Sequence, residues 1–135
     1  MTSAPAVVLD ASAMLAFLRN EPGRERVARA LAGAAAVSAL NWAEVMARLI
    51  DLGADPSEIV ARALPPTGSG TVEVVPFGDV EARESAKLRA RTRSLGLSLA
   101  DRAALALALT RGLPVLTADR AWKSLRLPVK IEVIR

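Results

Sequence analysis

The sequence predicts an α/β fold in which helices cover both faces of a mostly parallel sheet. Short runs of Val, Leu, Ile and Ala alternate with helical segments of roughly 10 to 18 residues, a spacing typical of β-α-β crossovers. The strand-like runs are apolar throughout, as expected for strands buried on both faces. Apolar residues make up 52% of the chain and aromatic residues only 3%, so the predicted core is built from aliphatic side chains.

The predicted elements alternate along the whole chain. The predicted strands cover residues 6–10, 35–40, 71–77, 113–118 and 129–134. The predicted helices cover residues 11–20, 24–33, 41–53, 55–64, 79–96, 98–112 and 119–125.

Local signals set the ends of the helices in the first half. A Pro-Gly pair separates the first helix from the second. Asn41 is a good N-cap for the third helix, and Gly53 is a typical C-terminal stop. Asp55 is predicted to cap the fourth helix, with Pro56 at its first position.

The second half differs in the charge of its helices. The stretch 65–70, PPTGSG, looks flexible but is too short to divide two domains. The alternating run 71–77 predicts a strand, and the charged segment 79–96 predicts an exposed helix. The segment 98–112 is nearly uncharged after its first turn, which predicts a buried helix.

Composition limits the classes of function. At 135 residues, the chain is expected to form a single domain over residues 1–135. It contains no Cys and no His, which excludes disulfides, Cys/His zinc sites and Ser–His nucleophilic catalysis. No uncharged run approaches the ~18 residues of a membrane span, and MTSAP lacks a secretory pattern, so we expect a cytoplasmic protein. A net charge of +4 favours phosphate-rich partners such as nucleic acid.

Four acids follow strands or begin helices, and each has a local explanation. Asp10 ends the first strand and could simply cap the helix that follows, but its position at a strand end between the apolar Leu9 and Met14 favours a site. Glu44 lies at capping-box spacing from Asn41, and it could also pair with Arg48 one turn later.

The other two acids lie in the second half. Asp101 follows Ser98 at capping-box spacing, but no cation shares its face of the helix. Asp119 follows a strand and could cap the next helix or pair with Lys123.

Taken together, the four acids predict a metal site. The carboxyl ends of parallel strands meet at one edge of a sheet, so these acids are expected to lie near one another. Two carboxylates about 4 Å apart repel by about 4 kcal/mol at an effective dielectric constant of about 20, so several ionised acids in one cleft need a cation or protons. Oxygen-only ligands favour Mg²⁺ or Mn²⁺. Neither GxxxxGK[ST] nor GxGxxG is present, which leaves metal-assisted hydrolysis of a phosphodiester as the favoured chemistry.

Four segments carry a family resemblance. VVLDASAML, SALNWAEV, LSLADRAALALA and LPVLTADRAW, in this order, resemble the PIN-domain ribonucleases and, more narrowly, the VapC toxins of bacterial toxin–antitoxin pairs. The resemblance covers almost the whole chain. It implies a central parallel sheet of about five strands, Mg²⁺-dependent endoribonuclease activity on RNA, a small VapB-type antitoxin and a homodimer.

The resemblance also assigns residues. It places Asp10 and Asp101 at the principal metal-binding positions, and Glu44 and Asp119 at positions that bind metal directly or through water. The supporting positions beside the site are Ser12, Thr117 and Asn41. The apolar helices 11–20 and 55–64 are candidates for the antitoxin groove, although ordinary core packing explains them equally well.

A basic cluster lies in the segment KLRARTR. Its members are Lys87, Arg89, Arg91 and Arg93. They are either the solvated face of a helix or part of a path for RNA toward the acids.

Two other interpretations remain open at this point. A catalytically silent RNA-binding or scaffold protein would have the same fold without cleavage. A receiver-type signalling domain also places acids around Mg²⁺ on a parallel sheet. It needs a phosphoacceptor aspartate after the third strand and a lysine after the fifth, and neither is evident.

Overall fold

Five parallel strands form the centre of the molecule in the computed structural model, which describes residues 4–64 and 72–135. The sheet order is β3-β2-β1-β4-β5. The strands are β1 Val7–Leu9, β2 Ala35–Ser38, β3 Val72–Val75, β4 Val115–Thr117 and β5 Ile131–Val133. The prediction of a parallel α/β sheet is confirmed. The stretch 65–70 and the predicted start of the third strand at Thr71 lie outside the described residues.

Helices occupy the connections between the strands. They are α1 Ala11–Leu18, α2 Arg24–Gly33, α3 Ala39–Asp51, α4 Pro56–Ala63, α5 Asp79–Lys87, α6 Arg89–Thr92 and α7 Leu99–Arg111. Two 3₁₀ helices cover Arg93–Leu95 and Arg120–Ser124. None of the helices in the described part of the chain is long and apolar enough to cross a membrane.

Both faces of the sheet are covered. Val7 and Leu9 of β1 pack into one apolar cluster with residues of α1, α2 and α3. Val8, between them, packs into a second cluster on the other side with residues of α7 and the fully buried Trp122. Because successive side chains of a strand point to opposite faces, this division shows a core layer on each face.

The predicted start of α3 is wrong. The helix begins at Ala39, and its N-cap is Ser38, whose Oγ accepts a hydrogen bond from the Leu40 N–H at 3.3 Å. Asn41 therefore lies inside the first turn, where it is fully buried. Ser38 ends a buried strand and is itself a strong cap, so the chain turns into the helix three residues earlier than Asn41 suggests.

The predicted continuous helix 79–96 is also wrong, because the segment divides into α5, α6 and a 3₁₀ turn. Thr92 is buried, and its Oγ1 donates to the carbonyl of Leu88 at 2.8 Å. A threonine hydroxyl that bonds back to the carbonyl four residues earlier competes with helical geometry and bends the chain. Gly96 then ends the segment with a left-handed backbone (φ +61°).

The strand order places a topological switch point between β1 and β4. β1 pairs with β2 on one side and with β4 on the other, and the connections run in opposite directions from there. Ligands of open parallel sheets bind at the carboxyl edge beside such a point. The order also differs from the 2-1-3-4-5 order of receiver domains, so the receiver alternative is wrong.

Candidate active site

Asp10 lies at the carboxyl end of β1, directly at the switch point, and is buried with only 3% of its surface exposed. As the N-cap of α1, its Oδ1 accepts hydrogen bonds from the Ala13 N–H and the Ser12 hydroxyl, both at 2.8 Å. The Thr117 hydroxyl donates to Oδ2 at 2.5 Å. A carboxylate offers about four lone-pair positions, so one on Oδ2 remains for a further partner.

The environment of Asp10 raises its pKa from 3.8 to about 6. Burial is the main cause, because the ionised form loses its hydration. The hydrogen bonds from Thr117, Ala13 and Ser12 oppose this effect, while the negative charge of Asp101 adds to it. Among the described residues no cationic side chain forms an ion pair with Asp10.

Asp101 lies in the first turn of α7 and forms the predicted capping box. Its Oδ2 accepts from the Ser98 N–H at 3.0 Å, while its own N–H donates to Ser98 Oγ at 3.1 Å. Its charge acts on both Asp10 and Glu44, raising the pKa of each carboxyl group. Asp101 is therefore the acid that links the site electrostatically.

Glu44 lies on the exposed side of α3. Partial burial and, secondly, the charge of Asp101 raise its pKa above the usual value. The predicted capping box with Asn41 is wrong, because the helix begins at Ala39 and Asn41 is not its cap. The predicted pair with Arg48 is absent from the ion pairs of the described residues.

Asp119 is exposed and lies two residues beyond β4. Its Oδ1 accepts from the Ala121 N–H at 3.0 Å, which confirms the predicted cap, although of a 3₁₀ helix. Its N–H donates to Thr117 Oγ1 at 3.1 Å, so the same hydroxyl contacts Asp10 and orders the chain that carries Asp119. An ion pair with Lys123 does not occur in the part of the chain that the structure describes.

Two hydroxyl groups join β1 and β4 beside Asp10. Ser12 Oγ and Thr117 Oγ1 lie 3.3 Å apart, and Ser12 Oγ also accepts from the Ala118 N–H at 2.8 Å. Each hydroxyl donates to a different oxygen of Asp10. The two residues named as supporting positions therefore fix the orientation of the Asp10 carboxylate.

Asn41 does not cap α3 as predicted, but contacts α7 instead. Its Nδ2 donates to the carbonyl of Ala100 in α7 at 3.1 Å, while its Oδ1 is buried and has no partner among the described residues. Sequence reasoning missed this contact with α7. The sequence did contain a signal for this contact. Asn41 is a polar residue one turn before Glu44, on a helix whose neighbouring faces are apolar.

The carboxylates are arranged in pairs rather than as a closed cluster. Asp101 acts on Asp10 and on Glu44, but among residues 4–64 and 72–135 no group of three acids is arranged to hold a metal ion. Asp101 and Asp119 instead direct one oxygen each toward a backbone N–H of their own helix.

An open groove of about 320 Å³ adjoins the site between α1 and α3. Its lining residues are Ala11, Leu15, Glu44, Ala47, Arg48 and Asp51. The groove has an apolar floor and a charged rim, and it reaches the residue next to Asp10.

The basic cluster consists of exposed side chains. Lys87 pairs with Glu84 at 2.9 Å, whereas Arg89, Arg91 and Arg93 form no ion pair within the described residues. The three arginines lie in α6 and the 3₁₀ turn, shortly before the first turn of α7 that carries Asp101.

The chain matches a known domain family over a region that includes β1, β4 and α7. Residues 7–127 match the PIN domain. The chain belongs to the PIN domain family. Curated protein sequences give no match to it.

The fold of this PIN domain is similar to that of solved toxin structures. A toxin–antitoxin complex from Klebsiella pneumoniae has a TM-score of 0.70 and 18% identity, with 96% of this chain and 98% of that chain covered. DNA-bound VapBC from Salmonella typhimurium has a TM-score of 0.68 and 22% identity, with both chains fully covered.

A third structure is VapC20 of Mycobacterium tuberculosis, described as a toxin that cleaves the sarcin–ricin loop. Its TM-score is 0.66 at 16% identity, with 89% of this PIN domain and 96% of that chain covered. At these identities, the three similarities establish the shared fold.

Proposed function

We propose that this PIN domain is a metal-dependent endoribonuclease and the toxin component of a type II toxin–antitoxin pair. One observation carries the proposal. Asp10 is buried at the switch point, three donors hold its carboxylate, and the nearby charge that acts on it is that of another acid. A buried carboxylate in that position needs a proton or a cation to compensate its charge.

The donor set fits a hard divalent cation such as Mg²⁺ or Mn²⁺. The side chains named at the site offer carboxylate and hydroxyl oxygens, the chain has no Cys or His, and Asp10 Oδ2 retains one lone pair. Asp10 and Asp101 are the principal candidate ligands, with Glu44 and Asp119 bound directly or through water. A bound divalent ion would lower the pKa of water and neutralise charge on a phosphoryl oxygen.

The chain's own residues supply the rest of the chemistry. Ser12 and Thr117 hold Asp10 in one orientation, so its charge is fixed before substrate arrives. Glu44 is exposed and its pKa is raised, which suits a carboxylate that accepts a proton from the attacking water. Asp119 is also exposed and is a second candidate for orienting that water.

RNA is the substrate that best fits the charged surface. Arg89, Arg91 and Arg93 are exposed near the start of α7 and are available for phosphate contacts. The groove beside Glu44 offers apolar surface next to the acids, which suits an unstacked nucleotide rather than a rigid duplex.

The toxin assignment draws on the similar structures. Those from Klebsiella pneumoniae and Salmonella typhimurium are toxin–antitoxin complexes, the second bound to DNA. We propose that this chain likewise has a VapB-type antitoxin, which would bind along the apolar surfaces of α1 and α4, and that it forms a homodimer.

The alternative of a catalytically silent RNA-binding protein has one observation in its favour. Asp101 already completes a capping box, Asp119 already caps a 3₁₀ helix, and no three acids converge among the described residues. That protein would bind RNA with or without a divalent ion and would leave it intact.

The test is cleavage of a structured RNA by the purified chain in Mg²⁺, Mn²⁺ and EDTA, beside an Asp10→Asn variant. We expect cleavage with either metal, none in EDTA and none by the variant. Full cleavage in EDTA would refute the metal dependence. RNA binding without cleavage under every condition would favour the silent alternative.

A further inference from the structure

Asn41 links the two helices that carry Glu44 and Asp101. It lies one turn before Glu44 on α3, and its Nδ2 donates to the carbonyl of Ala100, the residue before Asp101. Within the described residues, this is the one side-chain hydrogen bond between α3 and α7. The orientation of the amide is fixed, because a carbonyl oxygen can only accept a hydrogen bond.

We infer that Asn41 is a positioning residue that ties the helix of Glu44 to the first turn of α7 and so keeps Glu44 and Asp101 close enough to serve one divalent cation. This inference rests on the proposed function, since it concerns the same site. The two acids carry like charges that act on each other. Without a bond between their helices, repulsion would favour a wider separation of α3 from the first turn of α7.

The chemistry of an amide suits this role better than that of a charged side chain. Lys or Arg at position 41 could also donate to the Ala100 carbonyl, but its positive charge would compete with the cation for the acids. A neutral amide donates the bond and leaves the charge of the site unchanged. Asn41 therefore joins the helices without weakening the attraction for a divalent ion.

The oxygen of the Asn41 amide, Oδ1, indicates that the residue does not serve stability alone. Asn41 is fully buried, and its Oδ1 has no hydrogen-bond partner among the described residues. A buried carbonyl oxygen without a partner destabilises a fold, and an apolar side chain of similar shape removes that defect. Stability alone therefore favours Leu at this position, whereas positioning of the acids favours Asn.

Asn41→Leu tests the inference, with Mg²⁺ affinity measured by calorimetry on the folded, RNA-free protein. We expect an unchanged or higher melting temperature without metal, together with at least tenfold weaker Mg²⁺ binding, the effect typical of losing a residue that orients metal ligands. Saturating Mg²⁺ should restore most of the cleavage rate, and the KM for RNA should stay the same.

Thr92→Val is the matched control. It also removes a buried side-chain bond to a helix carbonyl, at 2.8 Å, but it lies outside the acid site. We expect this variant to lower the melting temperature and to keep wild-type Mg²⁺ affinity. Asn41→Ala serves as a second variant in case Leu is too large for the space.

The outcomes separate the inference from the proposed function. Wild-type Mg²⁺ affinity in both Asn41 variants would overturn the inference while leaving the nuclease intact. A wild-type chain that neither binds Mg²⁺ nor cleaves RNA would overturn the proposed function, and the inference with it.

Discussion

The Thr117 hydroxyl donates to Asp10 Oδ2 at 2.5 Å and thereby joins the carboxyl ends of β4 and β1. The same hydroxyl accepts from the Asp119 N–H at 3.1 Å. One small side chain thus orients a buried acid and orders the segment that carries an exposed one. Because the bond crosses the switch point of the sheet, it lies where parallel folds of this type bind ligands.

Asp10→Asn should stabilise the metal-free protein at neutral pH. Asp10 has a folded-state pKa of about 6 against 3.8 in the unfolded chain, so its ionisation destabilises the fold above pH 6. The difference corresponds to at most about 3 kcal/mol at pH 7.5, and the gain should shrink as pH falls through 6 toward 4. Thermal and urea unfolding at pH 7.5, 6 and 4.5 measure it.

The same variant should lose the Mg²⁺-induced rise in melting temperature and should not cleave RNA. Asp55→Asn is the control, because Asp55 caps α4 through the Ser57 N–H at 2.9 Å without a place in the site. It should retain both properties. If Asp10→Asn lowered stability equally at all three pH values, the pKa of Asp10 would not be raised in the folded protein.

Thr117→Val should raise the pKa of Asp10 further above 6, since the hydroxyl stabilises the ionised carboxylate. Ser12→Ala should raise it less, because the bond from Ser12 lowers the pKa by a smaller amount than the bond from Thr117. The Asp10 carboxyl resonance in a pH titration by NMR reports both values directly. The acid limb of the cleavage rate at fixed Mg²⁺ should shift upward in the same order. The reverse order of the two variants would contradict this account of the network.

The sequence predicts where Asp10, Asp101 and Asp119 lie in the secondary structure, because each position depends on local rules. Strand ends and first helical turns can be identified from hydrophobic periodicity and capping residues. The capping box of Ser98 and Asp101 and the cap by Asp119 were predictable for the same reason.

The remaining features depend on contacts between distant parts of the chain. Asn41 meets Ala100 across 59 positions of sequence, so the local capping pattern gave the wrong role. The bend at Thr92 likewise follows from its burial against the core, which the charged pattern of 79–96 conceals. The raised pKa of Asp10 requires complete burial, which the sequence does not specify.

Reversing the charges of Arg89, Arg91 and Arg93 to Glu should weaken RNA binding and reduce its salt dependence. For every phosphate that the variant no longer neutralises, the slope of log affinity against log salt should become shallower by about 0.7 for single-stranded RNA. Fluorescence anisotropy at several salt concentrations, in an Asp10→Asn background that prevents cleavage, measures the slope. Mg²⁺ affinity should not change.

Arg83→Glu is the matched control for a single reversal within the cluster, Arg91→Glu, because both change the net charge by the same amount. Arg83 is exposed on α5 and pairs with Asp79 at 3.0 Å, so it is a surface cation already engaged by a carboxylate. Its reversal should leave the salt slope near that of the parent protein. An equal effect from Arg83 would mean that net charge alone, and not a path along α6, determines RNA binding.

Asp101→Asn should separate the capping role of Asp101 from its role in the acid site. Asn retains an oxygen that can accept from the Ser98 N–H, so the capping box and the melting temperature without metal should be preserved.

Removal of the charge of Asp101 also relieves the repulsion that raises the pKa of Asp10 and of Glu44, so both pKa values should fall. Mg²⁺ affinity and the cleavage rate should drop by orders of magnitude, since the charge of a proposed ligand is removed. Melting curves with and without Mg²⁺, an NMR titration of the two carboxyl groups and an RNA-cleavage assay test these effects separately. A variant with wild-type cleavage and an unchanged Mg²⁺-induced shift would show that Asp101 acts only as a helix cap.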